Sequence, residues 1–303
     1  RRSGPLGGTA ERRGVSGNFI LPVDKPVGPT SHDIVARARR DLNVPRIGHT
    51  GTLDPFASGL LLLCVGRATR LAEYLTGLAK GYEAVARLGV STDTEDHQGE
   101  IVEERSGWES LTEDYIRAAM TDFTGTIDQI PPQFSAKKVD GVRMHERARR
   151  GEHVELPARS ITVHELELIE FSAPFVRFRT VCSSGTYVRS LARDLGEALG
   201  VGAHLTELRR TSIGRFSVTD SVSVDTIQDP GAVDTAAIAP LAAMAHLRTL
   251  AVGQDDVTRI SHGQKVTVEG EPDGPVAVAF GEDLVAVGEV NDGRLRPKKV
   301  FVT

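Results

Sequence analysis

The sequence has few cysteines and no long apolar run. Cys64 and Cys182 are the two cysteines of the 303-residue chain, too few for a disulfide framework or, on their own, for a four-ligand zinc site. The densest apolar run, Leu60–Val65, is much shorter than the stretch of about 18 residues that a membrane-spanning helix needs. These absences predict a cytoplasmic protein that uses neither a membrane nor a metal ion.

The chain also lacks an excess of positive charge: 36 Lys and Arg against 41 Asp and Glu give a formal net charge of −5, which at first argues against a nucleic-acid partner. The acidity is concentrated, however: Glu83–Asp114 holds ten acidic and two basic residues, whereas Lys137–Gly151 holds six basic and two acidic ones. Smaller basic clusters are Arg37/Arg39/Arg40/Arg46, Arg209/Arg210/Arg215 and Arg294/Arg296/Lys298/Lys299. A single basic cluster is usually a solvated surface. Several basic clusters in a chain with one acidic segment favour a polyanionic partner that is bound at several separate points.

The length predicts about two domains, at roughly 150 residues per domain. Residues 1–17 are rich in Gly, Arg and Ser without a hydrophobic period, which predicts a disordered leader. Residues 18–245 mix helical and strand patterns, and residues 246–303 hold short strands broken by Gly, Asp and Pro. Because strands come in pairs more often than as βαβ units, we expect an α+β body with a mixed or antiparallel sheet, followed by a small β-rich module.

Local patterns place several elements. Thr30 and Ser31 are candidate N-caps of a helix, and a second helix with Val188, Leu191 and Leu195 is expected to end at Gly200. Alternating residues predict that one face of a strand is formed by Tyr82, Ala84, Ala86, Leu88 and Val90. Ile161–Phe171 and Phe175–Cys182 are typical of a strand pair.

The loop from Gly48 to Gly59 is the most informative stretch for chemistry. Its glycines permit tight turns, and Pro55 biases Asp54 toward an extended or turn conformation just before a buried strand. From the loop alone, Asp54 is either a turn former or a carboxylate facing a cleft. No Gly-Lys-Ser/Thr follows, so a phosphate-binding loop is disfavoured.

Five segments, in order, resemble the motifs of the TruB family of bacterial tRNA pseudouridine synthases over roughly residues 18–225. They are Asp24-Lys-Pro-Val-Gly-Pro-Thr-Ser, Gly48-His-Thr-Gly-Thr-Leu-Asp54-Pro-Phe-Ala-Ser-Gly59-Leu-Leu, Lys80-Gly-Tyr82-Glu-Ala, Ser184-Gly-Thr-Tyr187-Val-Arg189-Ser-Leu-Ala-Arg-Asp-Leu-Gly and Gly202-Ala-His-Leu-Thr-Glu-Leu208-Arg-Arg. The tail after residue 246 is similar to the small RNA-binding domain called PUA. The resemblance implies a monomeric enzyme, an isomerase, with the pseudouridine-synthase fold.

The activity that the resemblance implies converts uridine 55, in the T-arm loop of tRNA, to pseudouridine. The N1–C1′ bond breaks, the base turns over, and a C5–C1′ bond forms. This chemistry needs a nucleophile or charge stabiliser and a pocket that retains the detached base, but it needs no metal or redox cofactor. The partner implied is therefore tRNA, with no cofactor.

The resemblance places three catalytic residues. Asp54 is the catalytic carboxylate, although the sequence does not decide whether it attacks the base, attacks C1′ or acts after glycosidic cleavage. Arg189 is its charge partner, a residue that without the motif reads as a surface arginine at a helix start. Tyr82 contacts the target base and its hydroxyl serves as a general base, whereas its strand pattern alone favours a core tyrosine.

Further substrate-binding residues follow by the same resemblance. Tyr187 and Leu208 line the uracil pocket, although a core position explains Leu208 nearly as well. His49 takes the place of the flipped nucleotide in the loop stack, or else is an ordinary loop histidine. Lys25 contacts RNA or orders its turn, and no role is assigned to it.

Two more expectations concern departures and insertions. A basic insertion at about residues 131–157 matches a segment that closes over RNA in the family, with Lys137, Lys138, Arg149 and Arg150 as RNA-backbone contacts. Pro22 interrupts an apolar run at the start of the body, which predicts an edge or strand-start position.

Two other functions remain open at this point. The same RNA-binding surfaces fit a tRNA-folding chaperone that performs no chemistry. RNA binding alone, however, does not require Asp54, Tyr82 and Arg189 together. A sugar-cleaving hydrolase would release free uracil as its product and would require a second carboxylic acid.

Overall fold

The computed structural model describes residues 17–133, 138–139, 142–143, 156–268 and 270–302. Its α-helices are α1 (Ser31–Asp41), α2 (Ala72–Thr76), α3 (Glu113–Thr121), α4 (Val188–Ala198), α5 (Pro230–Ala236), α6 (Pro240–Ala243) and α7 (Gln254–Ser261). Short 3₁₀ helices span Gly66–Leu71, Trp108–Ser110, Val218–Asp220 and Val224–Thr226. The predicted leader lies outside the described residues, apart from Gly17.

The strands fall into a first and a second group along the chain. The body contains β1 (Phe19–Lys25), β2 (Ile47–His49), β3 (Ser58–Val65), β4 (Lys80–Leu88), β5 (Val90–Thr92), β6 (Ile101–Glu104), β7 (Gly125–Gln129), β8 (Lys138–Val139), β9 (Val142–Arg143), β10 (Arg159–Ser172), β11 (Phe175–Cys182), β12 (Ala203–Ile213), β13 (Phe216–Ser217) and β14 (Val222–Ser223). The C-terminal part contains β15 (Arg248–Ala251), β16 (Val266–Thr267), β17 (Gly274–Phe280), β18 (Asp283–Asn291) and β19 (Arg294–Val300).

A ten-stranded mixed sheet forms the body, which confirms the predicted α+β class. Its main order is β14-β1-β3-β12-β4-β11-β10-β7, with β2 on β3 and β13 on β12. Most neighbours are antiparallel, while β1 runs parallel to β14 and β3 runs parallel to β12. The junction of β3 with β12 brings two distant segments of the chain together at Gly59 and Arg210, which are Cα partners.

The helices that flank the sheet begin and end where the sequence predicts. Thr30 caps α1: its hydroxyl accepts the Asp33 N–H, and the Asp33 carboxylate accepts the Thr30 N–H at 2.8 Å, a reciprocal capping box. Helix α4 ends at Leu199, followed by Gly200 with a φ of +77°. Its buried face packs through Leu191 and Leu195 against the sheet.

Strand β3 is buried on both faces, which explains its continuous apolar run. Leu61 and Leu63 pack with helix α1, whereas Leu60 and Leu62 pack with Leu71 and the C-terminal part of the chain. In β4 the predicted alternation holds for Tyr82, Ala84, Ala86 and Leu88. The strand ends at Leu88 and is followed by Gly89, whose φ is +87°, so the extension of that face to Val90 was wrong.

Pro22 lies inside β1, not at its start, and pairs with Leu62 of β3. Ile20 exchanges both backbone hydrogen bonds with Ile238 (2.9 and 2.8 Å) on the side away from β3. Because a strand alternates the direction of its N–H groups, the nitrogen of Pro22 faces that same side. The missing donor therefore costs no hydrogen bond to β3. The strand-start prediction was wrong, and β1 is the next-to-last strand of the sheet rather than its edge.

The C-terminal part is a five-stranded sheet of order β15-β17-β18-β19-β16, as the broken strand pattern predicted. The sequence reading missed its helix α7, in which Ile260 is the one buried side chain. Ala277, Leu284 and Val287 share an apolar cluster with the body. Among the described residues, no helix combines the length and apolar character that a membrane crossing requires.

Candidate active site

The loop that carries Asp54 connects β2 to β3 and is fixed from one side by the β1–α1 turn. The buried Ser31 hydroxyl accepts the Leu53 N–H at 2.9 Å and donates to the Leu53 carbonyl at 3.2 Å. The Gly28 N–H donates to the Pro55 carbonyl at 2.8 Å. The residues on both sides of Asp54 are therefore held by backbone hydrogen bonds, and its side chain points from a rigid loop.

Strand β12 fixes the same loop from the other side. Arg210, 1% exposed, donates to the Leu60 carbonyl at 2.7 Å and to the Gly51 carbonyl at 3.1 Å. Gly59 has a φ of +103°, and a Cβ there would lie 2.2 Å from the Arg210 carbonyl oxygen. The two strands meet so closely that only glycine fits at this position.

Asp54 and Arg189 form an ion pair, as the resemblance implied. Arg189 Nε lies 3.0 Å from Asp54 Oδ2. The arginine is buried rather than exposed at the helix start, because its Nη1 also donates to the Thr94 carbonyl at 2.8 Å and lies 3.3 Å from Asp96 Oδ2. Arg189 is thus fixed between two carboxylates, one of which, Asp54, keeps 37% of its side chain accessible.

Asp96 belongs to the acidic window that the sequence reading assigned to the surface. Its carboxylate is buried, and its Oδ1 accepts the Thr94 hydroxyl at 2.8 Å and the Gln98 N–H at 3.0 Å. The neighbouring Glu95 is buried as well and pairs with Arg193 of α4. Two acidic residues of that window are therefore buried and pair with Arg189 and Arg193 of α4 instead of forming a solvated face.

Burial raises the pKa of Asp54, and the Arg189 guanidinium opposes that increase. Asp96, a second carboxylate nearby, adds to the increase. The result is an aspartate that binds a proton at higher pH than an exposed one, yet faces a fixed cation that favours its ionised form.

Beside Asp54 lies a pocket of about 270 Å³, near the small end of the range for ligand sites. Its lining residues are Gly51, Thr52, Leu53, Asp54, Thr76, Lys80, Tyr82, Ser184, Gly185, Thr186, Tyr187, Val188, Arg189, Leu208 and Arg210. The structure thus brings together five of the predicted residues: Asp54, Tyr82, Tyr187, Arg189 and Leu208.

Tyr82 lies on β4 directly opposite Arg210 of β12. Burial raises the pKa of Tyr82, while the Arg210 guanidinium, which is hydrogen-bonded to the phenol, lowers it in part. The hydroxyl is therefore neutral at pH 7. Tyr82 is a core residue, as its strand pattern predicted, and it also forms part of the pocket wall.

Tyr187 is positioned by Gln129, a buried residue that the sequence reading missed. Gln129 accepts the Tyr187 N–H at 2.9 Å and donates to the Tyr187 carbonyl at 3.1 Å. This pair caps the first turn of α4, which has no side-chain cap of its own. Since Arg189 follows two residues later, the same contacts orient the arginine.

His49 and Lys25 lie near the site but outside the pocket lining. The His49 ring makes an edge contact with His32, with centroids 5.5 Å apart. Burial, helped by His32 and Arg210, lowers the pKa of His49 and keeps the ring neutral at pH 7. Lys25 donates to the Pro26 carbonyl at 2.8 Å, and burial lowers its pKa to about 8, with Asp54 opposing.

The structure describes none of the four side chains that were predicted to contact the RNA backbone. Lys137, Arg149 and Arg150 lie outside the described residues, and Lys138 is described as backbone only, in β8. Among the described residues, no three His, Cys, Asp or Glu side chains are grouped to hold a metal ion.

Solved structures share this fold over nearly the whole chain. "Crystal structure of the archaeal box H/ACA sRNP Nop10-Cbf5 complex" matches 94% of this chain and 86% of that chain, with a TM-score of 0.73 and 29% identity. "Structure of H/ACA RNP bound to a substrate RNA containing 2'-deoxyuridine" matches 94% and 85%, with a TM-score of 0.72 and 28% identity.

Sequence families and curated relatives give the narrower assignment. Residues 39–188 match "TruB family pseudouridylate synthase (N terminal domain)", residues 189–238 match "tRNA pseudouridylate synthase B C-terminal domain" and residues 250–301 match "Pseudouridine synthase II TruB, C-terminal". A protein named tRNA pseudouridine synthase B from Thermobifida fusca is 45% identical over 93% of this chain and 98% of its own length. One of the same name from Burkholderia pseudomallei is 43% identical over 96% and 99%. The chain belongs to the TruB family of pseudouridylate synthases.

Proposed function

We propose that this protein is a tRNA pseudouridine synthase that isomerises uridine 55 in the T-arm loop to pseudouridine. The observation that carries the proposal is the ionisable Asp54, held 3.0 Å from Arg189 beside a pocket walled by Tyr82 and Leu208. Relatives that match almost end to end carry the name tRNA pseudouridine synthase B, which supports tRNA as the substrate.

The proposed reaction uses the pocket in two ways. The target nucleotide leaves the loop stack and its uracil enters the pocket against Tyr82 and Tyr187, with His49 replacing it in the stack. Arg189 favours the ionised form of Asp54. The carboxylate then supplies the nucleophile or stabilises charge at C1′ while the N1–C1′ bond breaks. The walls retain the detached base until C5 bonds to C1′. Tyr82 then acts as the general base: its neutral hydroxyl gives its own proton to N1 of the base as it takes up the proton that leaves C5.

The wider organisation is proposed from the same resemblance. Residues 18–245 form the catalytic domain and residues 246–303 a PUA-like RNA-binding domain. The protein acts in the cytoplasm as a monomer without cofactor. The basic insertion at about residues 131–157 contacts the RNA backbone through Lys137, Lys138, Arg149 and Arg150.

The contacts of Arg189 favour the enzyme over a non-catalytic chaperone. A binding surface gains nothing from a desolvated carboxylate, because RNA phosphates repel it. A sugar-cleaving hydrolase would require two carboxyl groups, one on each side of the glycosidic bond. Asp54 is the one carboxylate among the described residues that line the pocket, while Asp96 faces Arg189.

The test is product mapping on unmodified tRNA and on an isolated T-arm stem-loop. Digestion to nucleosides is expected to yield one pseudouridine per molecule, and none when uridine 55 is replaced by cytidine. RNA binding without any pseudouridine would favour the chaperone. Release of free uracil would favour the hydrolase, and modification at another uridine would disprove the assignment to position 55.

A further inference from the structure

Two of the cations that line the pocket have no carboxylate partner among the residues that the structure describes. Arg210 is 1% exposed and Lys80 is 7% exposed. Arg210 donates to the carbonyls of Leu60, Gly51 and Thr52, the last at 3.4 Å. Lys80 donates to the carbonyls of Thr76 at 2.9 Å and Leu78 at 2.8 Å. Backbone carbonyls orient both charges but do not neutralise them.

Other arginines of the site differ in this respect. Arg189 is paired with Asp54 and Asp96, and Arg209, the neighbour of Arg210, is paired with Asp24 at 2.7 Å. A buried charge without a counter-charge is costly, and an anion that joins it during function offsets that cost. The unbalanced pair points to an anionic group that is present only when the pocket is filled.

Lys80 and Arg210 converge on the same part of the pocket. A Cβ built on Gly51 would lie 3.6 Å from Lys80 Cε and 3.7 Å from Arg210 Nη1, so both side chains flank this glycine. Both residues line the pocket together with Tyr82. Arg210 is too shielded to reach the backbone phosphates of docked RNA, and the group that it meets must lie inside the pocket.

The proposed reaction supplies such a group. When N1–C1′ breaks, the bonding electron pair stays on the base, and the detached uracil carries a negative charge that is shared between N1 and the O2 and O4 carbonyl oxygens. The charge is lost when C5 bonds to C1′, the C5 proton passes to a protein base, and N1 takes up a proton. If Asp54 first attacks C6 of the ring, the pair of the C5–C6 double bond moves onto C5 and the O4 carbonyl oxygen, so an electron-rich base develops in that case too.

We propose that Lys80 and Arg210 form a cationic cradle that stabilises the negative charge of the uracil while it is detached from the ribose. The inference rests on the proposed function and adds two catalytic residues to Asp54. Fixed donors aimed at developing charge in a site shielded from water are among the strongest sources of catalysis. Because the cradle is held by backbone carbonyls, it needs no rearrangement when the charge appears.

Lys80 also gives the cradle a pH signature. Burial, together with the nearby Arg210 of β12, lowers the pKa of Lys80 to about 8. The other groups that face it are Cys182 of β11, which burial keeps neutral with a pKa of about 11, and Tyr82 of its own strand, neutral as well. The charged form is therefore lost as the pH rises through about 8 in the free protein.

The experiment compares Lys80→Met and Arg210→Gln with the wild type, using T-arm stem-loop RNA as the probe. Single-turnover rate, RNA dissociation constant and melting temperature are measured for each. We expect the rate to fall by about 100-fold, the loss typical of removing one preorganised donor to a developing oxyanion. RNA affinity should change by less than about threefold, because phosphate contacts supply most of the affinity.

The pH profile of kcat/KM separates charge stabilisation from a structural role. The wild type should lose activity as the pH rises through about 8. Lys80→Met should have a lower rate and should not show this decline, which is the alkaline limb of the profile. Lys25→Met is the matched control, because burial lowers the pKa of Lys25 to about 8 too; it should keep the limb.

Each outcome has a defined meaning. Unchanged rates in folded Lys80→Met and Arg210→Gln overturn the cradle, and so do losses that merely follow weaker RNA binding, which would assign the cations to phosphate. A limb that persists in Lys80→Met, or vanishes in Lys25→Met, also overturns it. If Arg210→Gln does not fold, the Lys80→Met rate and profile decide. Inactivity of the wild type instead contradicts the proposed function itself.

Discussion

Arg189 Nε lies 3.0 Å from Asp54 Oδ2, while Nη1 of the same guanidinium lies 3.3 Å from Asp96 Oδ2. The buried Arg189 thus contacts two carboxylates: Asp54, which faces the pocket, and Asp96, which is buried behind the arginine. The arrangement fixes the direction of Asp54 without closing its accessible side. It also sets the balance between burial, which raises the pKa of Asp54, and the charge of Arg189, which lowers it.

The first prediction concerns Arg189→Met. Without the guanidinium, only the charge of Lys25 still opposes burial and Asp96, and the pKa of Asp54 rises further. In the proposed reaction the ionised carboxylate is the active form, so the wild-type rate should decline as the pH falls through a value above the ordinary 3.8. In Arg189→Met this acid limb should move to higher pH, and the neutral-pH rate should fall by about 100-fold or more.

Single-turnover rates between pH 5 and 9 (roughly the range in which folded domains stay stable) measure that shift. Arg177→Met is the matched control, because Arg177 is partly exposed on β11 and its nearest carboxylate, Glu170, is 3.9 Å away. The control should leave the limb in place. An acid limb that does not move in Arg189→Met would show that the arginine does not govern the ionisation of Asp54.

The second prediction concerns Gln129→Leu. The substitution leaves the Tyr187 N–H without its 2.9 Å acceptor, which should reduce the free energy of unfolding by about 1–3 kcal/mol. Because Tyr187 and Arg189 are displaced together, kcat should also fall. Urea unfolding and steady-state kinetics check both. Gln98→Leu, on an exposed side chain, should change the free energy of unfolding by less than about 0.5 kcal/mol; equal effects of the two substitutions would refute the role of Gln129.

The third prediction concerns the close approach of Gly59 to strand β12. In Gly59→Ala the new Cβ would lie 2.2 Å from the Arg210 carbonyl oxygen at a φ of +103°, so the free energy of unfolding should fall by more than about 3 kcal/mol. Gly77→Ala is the control, because nothing lies within 4 Å of its Cβ and its φ is −71°. It should be neutral or slightly stabilising. Thermal unfolding distinguishes the two, and similar melting temperatures would contradict the close approach.

The fourth prediction concerns the basic insertion, whose side chains lie outside the described residues. Neutralising Lys137, Lys138, Arg149 and Arg150 should weaken tRNA binding. It should also flatten the salt dependence of binding, by close to one unit of logarithmic slope for each phosphate that these side chains neutralise in the wild type. Dissociation constants at several salt concentrations provide the slope. If the affinity falls but the slope is unchanged, these side chains do not meet phosphate.

Much of the fold was predictable because local rules decide it. The N-cap at Thr30, the helix end at Gly200 and the alternation in β4 act within one element, and each was confirmed, the alternation as far as Leu88. Helix α7 was missed because few of its side chains are buried. Pro22 was misplaced because the direction of a single N–H, not propensity, decides whether a proline is tolerated in a strand.

The site was predictable only where a motif marked it. Asp54, Tyr82, Tyr187, Arg189 and Leu208 were named from their motifs, and the structure brings them together around one pocket. The partners that hold them were not named, because each comes from a distant segment. Asp96 looked like one carboxylate in an acidic run, and Arg210 like one cation in a basic cluster, whereas both are buried. Alternation in β12 was the available signal, since Leu208 and Arg210 share a face.

The most direct test of the account is tritium release from tRNA labelled at uridine C5, measured with the wild type and with Asp54→Asn. Isomerisation exchanges the C5 hydrogen, so the wild type should release tritium. Asp54→Asn should release none while it keeps nearly the same tRNA affinity and melting temperature. Release by a folded Asp54→Asn variant at a rate near that of the wild type would contradict the central claim that this carboxylate performs the chemistry.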